Sequence, residues 1–74
     1  MPKLPRVSGQ ECKRALAWLG FEEVRQRGSH VVMRRGDAGC VVPMHKEIKT
    51  GTLHGLLKQA GVSPSEFIDA YNNR

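Results

Sequence analysis

Two helices with marked ends, separated by a strand-forming stretch, limit this sequence to a small set of folds. The first helix is predicted over residues 9–19, where Ser8 and Glu11 form a capping box and Gly20 follows as a left-handed terminator. Apolar residues recur at the i, i+3, i+4, i+7 spacing of one helical face: Cys12, Ala15, Leu16 and Leu19. This helix can therefore bury one stripe against a neighbouring layer.

The second half of the chain carries two more helix patterns. A helix is predicted over 52–60, with Thr50 or Thr52 as its N-cap and Gly61 beyond its C-terminus. Its apolar face repeats the same spacing: Leu53, Leu56, Leu57 and Ala60. A short third helix is predicted over 64–72. Its start is marked by an N-cap serine, an N1 proline and an N3 glutamate: Ser63, Pro64 and Glu66.

Three short strands are predicted between the first two helices, over 22–27, 30–35 and 40–44. Hairpin-length connections separate them, Gly-Ser at 28–29 and Gly-Asp-Ala-Gly at 36–39. Pro43 has no N–H donor, so it should end the third strand or mark an edge of the sheet. The economical arrangement is an antiparallel meander.

This order of elements predicts an α+β fold, an α-β-β-β-α sandwich followed by a short C-terminal helix. The two amphipathic helices must bury their stripes on one face of the sheet, which leaves the other face free for a partner. The 74 residues are expected to form a single domain, 1–74, that buries only about 60% of its unfolded surface. A chain of this length has no room for a cofactor domain beside a substrate domain.

Charge and cysteine content narrow the class of partner. Lys and Arg number 12 against 7 acidic residues, giving a net charge of +5 and a pI near 9.8, which suggests a polyanion such as nucleic acid. Cys12 and Cys40 fall at apolar positions and are expected as buried thiols. The sequence shows neither a secretory signal nor an apolar run near the ~18 residues of a membrane span. A cytoplasmic location without a membrane partner is therefore expected.

His30 is the first candidate for chemistry. It opens a strand directly after a Gly-Ser turn, in an arginine-rich stretch. Period-2 alternation assigns Val31 and Met33 to the core and places His30 on the exposed side, near Arg25 or Arg27 across the hairpin. An imidazole there can exchange protons near neutral pH. The residues alone leave two interpretations open: an exposed strand histidine, or a general acid or base.

A second candidate lies in the polar connector before the second helix. His45, with Lys46 and Lys49, leads into a helix N-terminus whose free N–H groups favour an anion. These residues form either a phosphate contact or a solvated basic loop. The histidines and cysteines lack the two close-spaced ligand pairs of structural zinc sites, so no metal site is predicted.

Taken together, three stretches resemble the HicA family of bacterial toxins: GSH at 28–30, VPMH at 42–45 and IKTGTLHGLLKQAGVSPSEF at 48–67. The most specific part is the second helix, where seven residues stand in family register: Gly51, Thr52, Leu57, Lys58, Gln59, Ala60 and Gly61. The resemblance implies a fold like the double-stranded-RNA-binding domain. It also implies a metal-independent mRNA interferase, an endoribonuclease without cofactor, held inactive by a HicB-type antitoxin.

The family's catalytic histidine falls on His30, and its Pro-x-His histidine falls on His45. RNA contacts are expected from seven residues: Arg25, Arg27, Ser29, Arg34, His45, Lys46 and Lys49. The chemistry agrees with this, since a metal-free ribonuclease must deprotonate the 2′-OH, neutralise the phosphate and protonate the leaving 5′-oxygen. Two alternatives stay open: a non-catalytic double-stranded-RNA-binding module contacting about 16 bp, and a structural interaction domain.

Overall fold

A computed structural model describes residues 3–73 of the chain. Within this range the elements are α1 (Gly9–Trp18), β1 (Glu22–Arg27), β2 (His30–Arg35), β3 (Ala38–Pro43), α2 (Thr50–Ala60) and α3 (Pro64–Asn73). The α+β class and the α-β-β-β-α order with an additional C-terminal helix are therefore confirmed. In the same range, no helix combines the length and the hydropathy needed to cross a membrane.

Side chains define the start of α1, and backbone geometry defines its end. The Ser8 N–H donates to Glu11 Oε1 over 2.9 Å and the Glu11 N–H donates to Ser8 Oγ over 3.1 Å, which completes the predicted capping box. Gly20 adopts φ 96°, and the Phe21 N–H folds back to donate to the Leu16 carbonyl over 3.0 Å. The helix itself ends one residue before the predicted 19.

The start of α2 differs from the prediction of residue 52, because neither threonine caps it. Lys49 is the N-cap, with an extended backbone and no side-chain hydrogen bond to the helix. The Leu53 N–H donates to the Lys49 carbonyl over 2.9 Å, so the main chain alone closes the first turn behind the buried Ile48. The C-terminal end follows the prediction, with Gly61 in the left-handed region at φ 72°.

The third helix begins at the predicted proline and extends one residue beyond the predicted 72. The Ser63 N–H donates to Glu66 Oε1 over 3.0 Å, and the Glu66 N–H donates to Ser63 Oγ over 3.1 Å. These hydrogen bonds with Ser63 lower the pKa of the Glu66 carboxyl. The capping box predicted from the sequence is therefore present.

The three strands form one antiparallel sheet in the order β1-β2-β3. β3 starts at Ala38, two residues before the predicted 40, because a tight turn with Gly36 at φ 60° lets Arg35 pair with Ala38 at once. Pro43 ends the strand as predicted, so Met44, which the prediction included, lies outside it. The connection between β1 and β2 is the predicted Gly-Ser turn at 28–29, whereas the connection between β2 and β3 is two residues shorter than predicted.

One face of the sheet carries the hydrophobic core. Val31 and Met33 of β2 are at most 1% exposed, and Val42 and Cys40 of β3 pair with them. α1 and α2 pack on this core, and α3 packs chiefly against α1. Four of the leucines predicted for the core are buried: Leu16, Leu53, Leu56 and Leu57. Leu19 is only partly buried, because it is the C-cap of α1 rather than a residue of the helix.

The opposite side of the sheet, called the outer face below, is not covered by a helix within residues 3–73. The strand register places nine residues on it: Glu22, Arg25, Arg27, His30, Val32, Arg34, Gly39, Val41 and Pro43. A bulge at Val24, between Glu23 and Arg25, adds a further valine to the exposed surface of β1. The side chains of Val24 and Val41 are 53% and 43% exposed. This face therefore remains accessible to a partner, as the sequence predicts.

Candidate active site

His30 is the first residue of β2 and lies on the outer face. Its cross-strand partners are Arg27 on β1 and Pro43 on β3, so these side chains start only about 4.5–5.5 Å from its own. Gly28 in the preceding turn has φ 59°, a left-handed conformation that glycine adopts without strain. The turn thereby delivers an exposed imidazole to the end of the sheet where β3 also ends.

An open pocket of about 480 Å³ brings His30 together with His45. Lys49 and Thr52, from the start of α2, and Glu47, from the preceding loop, also line it. The rest of the lining is apolar: Val41, Pro43 and Ile48. His30, which lies 15 residues before His45 in the sequence, thus lines the same cavity as His45 and Lys49.

The N-terminus of α2 adds positive potential to this pocket. The other two helices begin with capping boxes, whereas no side chain accepts a hydrogen bond from the first N–H groups of α2. The first turn of α2 also contains no acidic residue. The partial positive charge of the helix end is therefore not reduced by a capping side chain or by a first-turn acid, and Glu47 is the one acidic residue of the pocket lining. Groups of this kind bind phosphate and other anions.

The predicted arginines lie next to the pocket rather than in it. Arg27 pairs with His30 in the sheet register. Arg25 and Arg34 line a separate shallow depression of the outer face, together with two valines. Lys46 is exposed on the loop beside the pocket but does not line it. The basic side chains therefore extend from the pocket across the outer face.

These cations are not neutralised by internal ion pairs. The one ion pair found among residues 3–73 joins Lys13 Nζ to Glu23 Oε1 over 3.0 Å, away from the pocket lining. Of the described carboxylates, Glu47 alone lines the pocket. An anionic ligand can thus approach the basic side chains without displacing an acidic partner.

Backbone hydrogen bonds fix the loop that carries His45. The Met44 N–H donates to the Ser29 carbonyl over 2.6 Å. The Gly9 N–H donates to the His45 carbonyl over 2.9 Å, and the Ile48 N–H donates to the Val7 carbonyl over 2.8 Å. The first bond ties the loop to the turn before His30, and the other two tie it to the start of α1. Ser29, predicted as an RNA contact, thus supports the site through its main-chain carbonyl.

Several residues of the site escape the sequence analysis. Thr52 enters it as a candidate cap and as a residue in family register but not as a site residue, although its position three residues after Lys49 places both on one side of the first turn of α2. Gly9 carries a signal too, since glycine directly after an N-cap lowers helix propensity and needs another reason to be there. Glu47 has no feature that distinguishes it from a solvated loop acid.

The two cysteines are not part of this site. Burial, with a smaller contribution from the neighbouring Cys40, raises the pKa of the Cys12 thiol to about 12, and burial raises the pKa of Cys40 to about 11. Both thiols therefore stay protonated at neutral pH and are poor nucleophiles. In the part of the chain that the structure describes, no three His, Cys, Asp or Glu side chains come together as metal ligands.

Comparison with known protein families places the chain in one of them. A family model described as the HicA toxin of bacterial toxin–antitoxin systems matches residues 9–62, which is more than half of the chain. The match runs from the first residue of α1 to just beyond α2, and it includes both His30 and His45. A search of the curated proteins found no match to the chain. The chain therefore belongs to the HicA family of toxins from bacterial toxin–antitoxin systems.

Proposed function

We propose that this toxin is a metal-independent endoribonuclease that cleaves mRNA, and that a HicB-type antitoxin neutralises it. The observation that carries the proposal is the pocket in which His30 and His45 meet at the uncapped N-terminus of α2. Two proton-transfer groups beside an anion-binding helix end match the requirements of phosphodiester cleavage. The proposal requires no cofactor.

RNA supplies its own nucleophile for this reaction. One imidazole removes the proton of the 2′-OH, and the resulting oxygen forms a bond to phosphorus while the bond to the 5′-oxygen breaks. A second group gives a proton to the departing 5′-oxygen, so the products are a 2′,3′-cyclic phosphate and a 5′-hydroxyl. The proposal assigns one of these transfers to His30, and His45 is the candidate for the other because it lines the same pocket. A positioned proton-transfer group contributes about 10²–10⁴-fold to the rate.

The surrounding cations complete the proposed mechanism. Lys49 and Thr52 line the pocket at the start of α2, so the Lys49 ammonium and the uncapped helix end would stabilise the negative charge that develops on the phosphoryl oxygens. Arg27, beside His30, is the nearest cation of the sheet by register. Arg25, Arg34 and Lys46 lie further out, where they can contact flanking phosphates. DNA lacks the 2′-OH and should bind without being cleaved.

The decisive experiment is His30→Ala, expressed without antitoxin and tested for growth arrest and for cleavage of purified RNA. The variant should fold, because His30 is exposed and outside the core. It should still bind RNA, since phosphate contacts supply most of the affinity, but cleavage should fall by at least about 10²-fold. His54→Ala is the matched control, because His54 is an exposed histidine of α2 that does not line the pocket.

Other outcomes are equally informative. A folded His30→Ala protein that cuts RNA at the wild-type rate would move the proton-transfer role to another residue, with His45 next. Loss of activity in EDTA would contradict a metal-independent reaction. If the wild-type protein binds double-stranded RNA but never cleaves RNA, the chain is a non-catalytic RNA-binding module instead.

A further inference from the structure

We propose that Gly9 is a positioning residue of the active site, whose missing side chain lets the first turn of α1 hold the His45 loop in place. The inference rests on the proposed function only in taking His45 as part of the site. It assigns a role in that site to a helix that contributes no side chain to the pocket lining.

The contact between α1 and the loop is too close for any other amino acid. A Cβ atom at position 9 would lie 2.5 Å from the Pro43 carbonyl oxygen and 2.6 Å from the Met44 Cα. Both are backbone atoms, which cannot rotate away as a side chain can. Real Cβ contacts do not fall below 3.0 Å, so the two segments would have to separate by at least about 0.5 Å.

The same close approach allows a hydrogen bond between Gly9 and His45. The Gly9 N–H donates to the carbonyl oxygen of His45 over 2.9 Å. A second bond from the same N-terminal segment, between the Val7 carbonyl and the Ile48 N–H, holds the far end of the loop. Val7 and Gly9 thus hold the loop at His45 itself and three residues further along, at Ile48.

The loop is also attached to the turn that delivers His30. The Met44 N–H donates to the Ser29 carbonyl over 2.6 Å, one residue from each histidine. A loop displaced by an added Cβ at position 9 would therefore strain or lengthen this bond as well. The distance between the two imidazoles across the pocket therefore depends on the packing of Gly9 against Pro43 and Met44, to which neither imidazole contributes.

Helix stability does not explain the glycine. Gly9 is the first helical residue after the Ser8 cap and has an ordinary helical backbone, since it is absent from the glycines with positive φ. Gly51 and Gly55 in α2 are different, because a Cβ at either position would meet no atom within 4 Å. Close packing against Pro43 and Met44 is the feature that sets Gly9 apart.

The test compares Gly9→Ala with two control variants. Gly55→Ala adds the same methyl group to a helix where it enters open space, and should leave cleavage within about 2-fold of wild type. Ser63→Ala removes the cap of α3, so it should lower the stability of the protein at a position far from the loop. Each variant is assayed at a temperature where circular dichroism shows it folded.

For Gly9→Ala we expect kcat for RNA cleavage to fall by about 10- to 100-fold, since displacements below 1 Å at reacting groups have effects of this size. The Kd for RNA should stay within about 3-fold, because phosphate contacts dominate affinity. Ser63→Ala, once folded, should keep the wild-type kcat. Equal kcat values for folded Gly9→Ala and wild type would overturn the proposal.

Two measurements do not depend on ribonuclease activity. In NMR spectra of the free protein, Gly9→Ala should shift the backbone amides of residues 44–46 and the ring protons of His45, whereas Gly55→Ala should not. In the wild-type protein, the Gly9 amide should exchange with solvent as slowly as core amides. If Gly9→Ala fails to fold, fast exchange of this amide in the wild type would still overturn the inference. If the loop shifts as expected but the wild type cuts no RNA, the proposed function fails while the positioning role stands.

Discussion

At the scale of single residues, burial divides the reactive side chains of this protein into two sets. His30 and His45 are exposed at the pocket, where an imidazole can exchange protons with a bound ligand. Cys12 and Cys40 are only 0% and 4% exposed inside the core. The chemistry offered to a ligand is therefore that of histidine, and the thiols act as small apolar side chains.

The buried thiols should make the protein less stable at alkaline pH. Their pKa values of about 12 for Cys12 and about 11 for Cys40 lie above the ordinary value of 9.0 expected in the unfolded chain. Above pH 9 the unfolded chain releases thiol protons that the folded protein retains, so the free energy of unfolding falls as pH rises. We expect a loss of about 1 kcal/mol per thiol by pH 10, measured by urea unfolding at pH 8 and pH 10.

The control is a double variant with Cys12→Ala and Cys40→Ala. All other groups titrate alike in both proteins, so the difference between their pH dependences isolates the thiols. An identical fall in unfolding free energy from pH 8 to pH 10 in the variant and the wild type would contradict the prediction.

The face that His30 occupies can be predicted from sequence, but its pocket cannot. Strand alternation is a local pattern, and it correctly places Val31 and Met33 in the core and His30 outside. The pocket instead depends on how α2 packs beside β3, and no local pattern encodes that relation. Glu47 consequently becomes part of the site only when the packing of α2 beside β3 is seen, and the reason for glycine at position 9 appears only in its contact with Pro43 and Met44.

At the scale of elements, boundaries set by side-chain chemistry are predicted more closely than boundaries set by the main chain. α1 and α3 start at the predicted residues, because a serine and a glutamate mark each start. α2 starts at Thr50 and β3 at Ala38, two residues early in each case. The first turn of α2 is closed by a backbone hydrogen bond to Lys49, and the start of β3 is set by its pairing with β2. Neither interaction requires a particular type of residue in the sequence.

The apolar stripe of α2 provides a test of the core. Leu56 is only 5% exposed, so Leu56→Ala should lower the free energy of unfolding by about 2–5 kcal/mol. That is a large share of the ~5–15 kcal/mol that stabilises a typical domain. Leu19→Ala is the comparison, because the partly buried Leu19 packs at the margin of the core and should cost less. Urea unfolding of both variants measures the two losses, and equal losses would contradict this assignment of the core.

At the scale of the whole molecule, the two sides of the sheet have different surroundings. The helices and the core occupy one side, while the outer face carries Arg25, Arg34 and exposed valines. RNA can use the arginines through its phosphates but gains little from the valines. A protein partner can bury the valines and pair with the arginines, as the centre and rim of an interface do. The substrate and the antitoxin are therefore expected to compete for the same side.

We accordingly expect a HicB-type antitoxin to cover the His30 pocket and the outer face, with acidic groups opposite Arg25, Arg34 and the 46–49 loop. Attraction between opposite charges should make the association rate fall as ionic strength rises. Arg34→Ala should slow association and weaken this salt dependence. Arg14→Ala, an exposed arginine on α1, is the matched control and should change neither. Stopped-flow mixing at several salt concentrations measures both quantities.

Occlusion of the histidines can be measured directly in the complex. In the free toxin both rings are exposed, so their C2 protons should exchange with deuterated solvent at rates typical of accessible histidines. Binding of the antitoxin should slow exchange at His30 and His45, because the partner excludes solvent from their pocket, and should leave His54 unchanged because it lies outside that pocket. A complex that blocks RNA cleavage while both pocket rings exchange as in the free toxin would show that the antitoxin acts from a distance, by moving the His45 loop or α2 rather than by covering them.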